Sequence, residues 1–392
     1  MMDGMVETAP ARKRRWQISN VILIPFYLMA VGFLLRYAVY VRTSGHWGMI
    51  DYIRALCVYD CNAYERLALN GYEGRPSGFD KGDANNWAFF PLYSILAWGI
   101  SKLSNMTVLL SGTILSNLLT VASAVIAWPL FENRTRAYFL FCFVLFLGPF
   151  SYYFTTLYTE SLFLLFTVAG FVFLRQRDYL TAGLTGALMS ATRSTGLLFA
   201  AAILIQALQD HLRDGGRLGG FLRELPRRTD LILAVAMVPL GLCIFALYMY
   251  ITTGDALAFV HIQRAWGRAF QNPFSNLWIA LTLQFKNGWQ LPIITTDLAF
   301  GIAAIIGFVL CVILAIRRQW AMAVFCLFGI LLPLSTNTYS MIRFVAGLGP
   351  LLIIASVLLA HWKWIYYLVL PALLILDVLF LQTWISRSYY LM

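Results

Sequence analysis

Residues 179–208 read YLTAGLTGALMSATRSTGLLFAAAILIQAL, an apolar stretch broken only at Thr192-Arg193-Ser194-Thr195-Gly196. One membrane crossing takes about 20 apolar residues, so the stretch is too long for a single helix. An arginine halfway through it would sit at mid-bilayer, where an ionised side chain is costly. The loop that follows, His211 to Arg228, carries five arginines, and such clusters stay on the cytoplasmic side. Both constraints are met if the segment crosses twice as two short helices, with Arg193 in the turn on the outer side. This reading orients the rest of the chain.

The chain has 392 residues, 60% of them hydrophobic and 12% charged, with a mean hydropathy of +0.73. Soluble domains carry roughly 25% charged residues, so this composition excludes a water-soluble enzyme, a disordered chain and a free nucleic-acid binder. The net charge of +11 comes from basic residues in short loops between apolar runs, where they mark topology and form no phosphate-tracking face. No nucleic-acid partner is expected.

Arg12-Lys13-Arg14-Arg15 precedes an apolar run from about residue 18 to 41, long enough to span and without a cleavage site after it, so it reads as a retained helix with a cytoplasmic N-terminus. Further apolar runs lie at about 106–131, 137–157, 160–174, 231–252, 297–316, 320–335, 344–360 and 364–384. The stretch 88–104 is short and interrupted by Pro91. Reading it as an interfacial helix keeps Arg134 and Arg136 inside. The sum is an all-α polytopic membrane protein of about eleven transmembrane helices with an external C-terminus. It forms a single domain over 1–392, with external loops at about 42–105 and 253–296 and juxtamembrane helices in the first. Arg36 reads as a snorkelling residue near the outer end of the first span, and Asp377 as the main charge inside a span. Asp80 and Asp83 read as solvent-facing.

The external segments hold the chemistry-bearing residues. They are Tyr59-Asp60 and Tyr64; Tyr158-Thr159-Glu160-Ser161; Arg193; Gly254-Asp255 with Gln263, Trp266 and Arg268; and Arg343. A transporter would keep such groups on broken helices near the midplane, in two matching halves, a symmetry this sequence lacks. Carboxylates, arginines and aromatic rings at one membrane face suit sugar transfer from a lipid phosphate. A carboxylate can act as general base toward an acceptor hydroxyl. Arginines can hold the departing phosphate by paired hydrogen bonds. Each residue also has a plainer reading. Asp60 could cap a helix or pair with Arg66, and Glu160 could favour a helix N-terminus. Asp255 could close a turn, Arg193 and Arg343 could anchor helix ends, and Gln263 with Trp266 could be packing.

Cys57 and Cys61 lie four apart; on one helix they would share a face, and a disulfide there would be strained. Whether they pair stays open. Four other cysteines lie in apolar runs, where a thiol behaves as a small hydrophobe, and no metal-ligand spacing appears.

In ordered combination, Asp60, Leu69-Asn70-Gly71-Tyr72, Ala88-Phe89-Phe90-Pro91-Leu92-Tyr93, Tyr158-Thr159-Glu160-Ser161, Ala191-Thr192-Arg193-Ser194-Thr195-Gly196 and Gly254-Asp255-x-x-Ala258-Phe259 resemble the PIG-V mannosyltransferases. These comprise GPI mannosyltransferase II and its bacterial relatives, within the GT-C architecture. The resemblance runs from about residue 55 to 350. It departs from the family at Tyr59, where a tryptophan is frequent. It implies a membrane enzyme that takes a hexose, usually mannose, from a polyprenyl-phosphate donor with inversion, and it implies that Asp60 is the catalytic base. Glu160, Arg193, Asp255, Gln263, Trp266, Arg343 and Tyr64 are then the expected substrate-binding residues. The expected partners are that donor, a lipid or glycan acceptor and membrane lipids. The expected place is a bacterial inner membrane, with the site toward the periplasm. No cofactor is expected. A divalent cation held by Asp60 with Glu160 or Asp255 is the less favoured option, and a lipid-linked sugar flippase is the alternative function.

Overall fold

The structure, a computed structural model, describes residues 10–72, 86–286 and 296–386, with the side chains of 10–18, 265–266 and 284–286 left out. Asp80 and Asp83 lie outside the described residues. Among these residues the protein is all-α. The helices, in chain order, are α1 (Pro10–Ser44), α2 (Met49–Leu56), α3 (Asp60–Asn70), α4 (Pro91–Ser104), α5 (Val108–Ala127), α6 (Thr135–Leu147), α7 (Ser151–Thr155), α8 (Glu160–Arg175), α9 (Tyr179–Thr192) and α10 (Phe199–Arg213). After them come α11 (Leu218–Glu224), α12 (Thr229–Met237), α13 (Leu240–Thr253), α14 (Ala258–His261), α15 (Pro273–Lys286), α16 (Thr296–Ile316), α17 (Trp320–Leu334), α18 (Met341–Ala346), α19 (Gly349–Leu359) and α20 (Lys363–Ile385).

Among the described residues, six segments are long and apolar enough to cross a membrane: Ser19–Ser44, Val108–Phe131, Ser194–Arg213, Thr229–Thr253, Thr296–Ile316 and Lys363–Ile385. Several of the other expected crossings are shorter helices. The run at 137–157 stops at Leu147, because Gly148 and Pro149 end α6 before α7 begins. The run at 344–360 is divided between α18 and α19. The break inside 179–208 falls where the charge argument put it. Asp178 caps α9 by accepting from the Thr181 amide, α9 ends at Thr192, and Arg193 adopts an extended backbone before the next turn starts.

At the centre lies α8, buried along most of its length and packed between α5 and α9. Small residues let backbones approach closely without a soluble-style hydrophobic drive. Gly183 faces the Ala234 backbone, and Gly241 meets the backbone of Ala187 and Ala191, which is why α9 seats tightly on α12 and α13. Outer faces such as Ile244, Leu247 and Ile251 on α13 stay exposed, as lipid-facing positions do.

Arg36 does not snorkel. It is 1% exposed, and it donates to the Phe146 carbonyl at 2.7 Å and to Ser151 Oγ at 3.3 Å. Ser151 Oγ in turn donates to Asp377 Oδ1 at 3.0 Å. This chain of polar groups ties α1, α7 and α20 together. It sits beside a space of only about 10 Å³.

The first expected external loop contains α2, α3 and α4, helices too short to span. Between α2 and α3 the chain turns sharply, and Cys57 and Cys61 are joined in a disulfide with Cα atoms 5.2 Å apart. The two cysteines do not share one helix. Cys57 follows the end of α2, while Cys61 lies in the first turn of α3, so the geometry that would strain the bridge does not arise.

Candidate functional site

Asp60 opens α3 and Glu160 opens α8, so each carboxylate sits at a helix N-terminus whose dipole favours it. Preceding Asp60, Tyr59 has φ 55° and ψ −122°, a backbone region that residues with side chains rarely enter, at a cost of about 1–3 kcal/mol. That conformation turns the chain out of α2 and into α3.

Arg343, on α18, links the two carboxylates. Its Nη1 donates to Asp60 Oδ2 at 2.6 Å, and its Nε lies 3.3 Å from Glu160 Oε1. Arg193 Nη1 approaches the same Glu160 oxygen at 3.1 Å. The Glu160 contacts are close ion pairs set off the line of a hydrogen bond, for neither carboxylate oxygen has a hydrogen-bond partner among the described residues. Aromatic rings frame both cations. Phe344 lies beneath Arg193 and Arg343, Phe163 beside Arg193, and Tyr153 and Tyr158 beside Arg343, with centroids 5.4–6.0 Å away. Such contacts add to the hold on a desolvated cation.

In front of this network opens a cavity of about 770 Å³, within the usual size range for small-molecule sites. Asp60, Tyr64, Arg193, Gln263, Arg268 and Arg343 contribute to its wall, and Phe89, Phe90, Phe259, Phe300 and Trp384 give it apolar faces. The wall therefore draws on segments from residue 59 to residue 384.

The sequence-expected residues divide three ways. Asp60, Tyr64, Arg193, Gln263 and Arg343 come together at the cavity. Tyr64 Oη lies 3.3 Å from Thr159 Oγ1, and burial pushes its phenol up to about 12. Glu160 is 1% exposed and is not part of the wall; it braces Arg193 and Arg343 from behind. Asp255 is not brought to the cavity. Its carboxylate meets His261 Nδ1 at 2.6 Å on a partly exposed turn, and that hydrogen bond holds its carboxyl below the usual range. The side chain of Trp266 lies outside the described residues.

Arg268 is a cationic wall residue outside the expected substrate-binding set. It donates to Gln263 Oε1 at 3.3 Å and has no carboxylate in ion-pair contact among the described residues. Burial pulls its guanidinium below the ordinary value, and the like charges of Arg343 and Arg193 act in the same direction. In the sequence it stands with Gln263 and Trp266 among the chemistry-bearing external residues, but nothing there gives it a role of its own.

The fold and site define an all-α, polytopic membrane protein with a charged, aromatic-walled cavity where its short helices meet. No protein-family model matches the sequence, and no curated protein matches it. Among solved structures, the oligosaccharyltransferase of Archaeoglobus fulgidus, crystallised with Zn and sulfate, aligns with 92% of this chain and 53% of its own, at 9% identity and a TM-score of 0.45. The chain thus spans about half the length of that protein. The likeness is too distant to assign a family or an activity.

Proposed function

We propose that this protein is an integral membrane glycosyltransferase of GT-C type. It transfers a hexose, by its motif resemblance mannose, from a polyprenyl-phosphate donor to a lipid or glycan acceptor, with inversion. One observation carries the reading: a carboxylate in the cavity wall stands among three arginines, one of them without an anionic partner among the described residues. Arg193, Arg268 and Arg343 against Asp60 and Glu160 leave one formal positive charge. A glycosyl phosphodiester carries one negative charge, which the site would match.

The charges also balance through the reaction. The acceptor hydroxyl attacks the anomeric carbon and gives its proton to Asp60, while the bond from that carbon to the phosphate oxygen breaks with its electron pair. The departing phosphate monoester then carries nearly two negative charges. Protonated Asp60 no longer neutralises Arg343, which becomes available to the phosphate. Arginine suits this part, since its fork of donors can leave a carboxylate for a phosphate without losing charge. Phe89, Phe90 and Phe300 offer faces for a sugar ring or an isoprenoid tail.

The residues do not fit a cation shared between the two carboxylates. Arg343 contacts both Asp60 and Glu160, and Asp255 is engaged with His261. No step is therefore routed through a metal. A flippase would place its working charges along a path through the membrane. Arg36 and Asp377 are instead linked to one another through Ser151, beside a space no larger than a water molecule.

The Cys57–Cys61 disulfide supports an external site, because such bonds persist in oxidising compartments. The cluster of arginines from Arg213 to Arg228 supports a cytoplasmic location for that loop. A cysteine placed at position 217 of a variant without its other thiols is expected to resist an impermeant maleimide in intact cells. Rapid labelling there would invert the topology.

The direct test is to incubate purified protein with polyprenyl-phosphate-mannose and an acceptor pool. Loss of donor with appearance of a mannosylated product is expected; no donor consumption with any sugar would end the reading. Arg268→Ala is expected to raise donor KM about 10- to 100-fold, the loss of a charge-assisted contact, and to leave the melting midpoint near wild type. An unchanged KM would remove Arg268 from the phosphate site.

A further inference from the structure

We propose that the Cys57–Cys61 disulfide is a positioning element for Asp60, so that turnover, more than donor binding, depends on the bridge being intact. This rests on Asp60 being the base. The bridge encloses three residues, Val58, Tyr59 and Asp60, with Asp60 immediately before Cys61. The turn would not hold its shape from backbone preference, since Tyr59 at φ 55° and ψ −122° is in a conformation a side-chain-bearing residue avoids.

The surroundings fix the frame of this loop, the Tyr59 ring meets Trp384 edge-on and the Asp60 carboxylate meets Arg343, and the bridge closes the backbone between them. Tyr158 Oη donates to the Val58 carbonyl at 2.7 Å, and Trp384 Nε1 donates to the Leu56 carbonyl at 3.0 Å. Both sulfurs are buried, Cys61 completely, so the loop is anchored on its inner side while Asp60 faces the cavity. Opening the bridge frees the α2–α3 turn to relax at Tyr59, which rotates the first turn of α3 and carries the carboxylate with it. A base must stay within about 2.6–3.2 Å of the proton it takes. The donor would be touched less, because Arg193, Arg268 and the apolar wall stand on other segments.

The test is a double-mutant cycle. Cys57→Ser with Cys61→Ser is expected to lower kcat by about 10- to 100-fold, the size of effect that ångström-scale misplacement produces, while donor KM stays within about twofold and the melting midpoint shows a folded protein. Combined with Asp60→Asn, the same change is expected to add no further loss, because the carboxylate it positions is already gone. A merely structural bridge would lower both backgrounds by the same factor. As a second measurement, folded protein carrying Cys243→Ser is reduced with a phosphine, with bridge thiols counted by maleimide mass-tagging. The same fall in kcat is expected, and re-oxidation should restore it. Wild-type kcat without the bridge, equal losses in both backgrounds, or failure to fold would each overturn the proposal. If Asp60→Asn alone turns over normally, the base assignment fails instead, a result separate from these.

Discussion

Asp60→Asn is expected to lower turnover by about 10²–10⁴-fold, the usual contribution of a positioned general base, with donor affinity little changed. The asparagine keeps the size of the side chain and can still accept one hydrogen bond from Arg343 at the present 2.6 Å contact. What it loses is the capacity to take the acceptor's proton as the attacking oxygen grows acidic. It also loses a negative charge, leaving the three cavity arginines opposed by Glu160 alone, so donor binding should hold or tighten slightly. A fall in kcat with flat or lower KM is therefore the signature. Normal turnover would exclude Asp60 as the base. Glu160 could not then take its place directly, being buried behind the wall.

Arg343→Ala is expected to lower both stability and turnover. The guanidinium uses two different nitrogens for two carboxylates, Nη1 for Asp60 and Nε for Glu160. Its removal leaves Glu160 buried with Arg193 as its remaining cation. Leaving a buried charge with no partner costs about 3–5 kcal/mol; with Arg193 still in place the loss is expected to be smaller, and to show as a lower melting midpoint. Loss of a charge-stabilising donor should lower kcat about 10²–10³-fold as well. Arg343→Lys should recover part of the stability and little of the turnover, because a single nitrogen does not reproduce the fork whose Nη1 and Nε reach the two carboxylates from different positions. The diagnostic variant is Arg343→Ala with Glu160→Gln. Stability should return in part, because the neutral glutamine needs no second cation although Arg193 then loses its carboxylate partner, while activity stays low. If the double variant is no more stable than Arg343→Ala, the Glu160 contact is not what the arginine supports.

Much of this site is legible in the sequence, and the reasons are physical. Arg193 stands out because an arginine inside thirty apolar residues is costly unless the chain breaks there, and α9 does end one residue before it. Glu160 and Arg343 fall at the ends of apolar runs, where charge is scarce and therefore informative, while Asp60 stands in the first external loop and is picked out by its motif. What sequence cannot convey is depth. Glu160 and Asp60 both look like loop carboxylates, yet one braces the wall and the other belongs to it. Asp255 has the same appearance, and it turns toward His261 because both lie on one short turn. Arg268 draws no role from the sequence for the opposite reason, since its loop is ordinary in composition and its lack of a carboxylate partner among the described residues is a fact of three dimensions. The disulfide depended on a helix boundary between residues 57 and 61, set by the backbone of Tyr59, which no periodicity reveals. Arg36 was misread because its partners are more than a hundred residues away.

The cavity wall takes Tyr59 from near the start of the chain and Trp384 from its last described helix. Trp384 stacks on Tyr152, with centroids 4.2 Å apart, and α20 is locked to α1 through Ser151 and Arg36. During synthesis, then, the polypeptide cannot acquire a working site in instalments. Every earlier helix can be in the bilayer while the wall still lacks one side, and it closes only when α20 has left the ribosome, entered the membrane and brought Asp377 to Ser151. Until that moment any ligand of the cavity would meet a wall with one side missing.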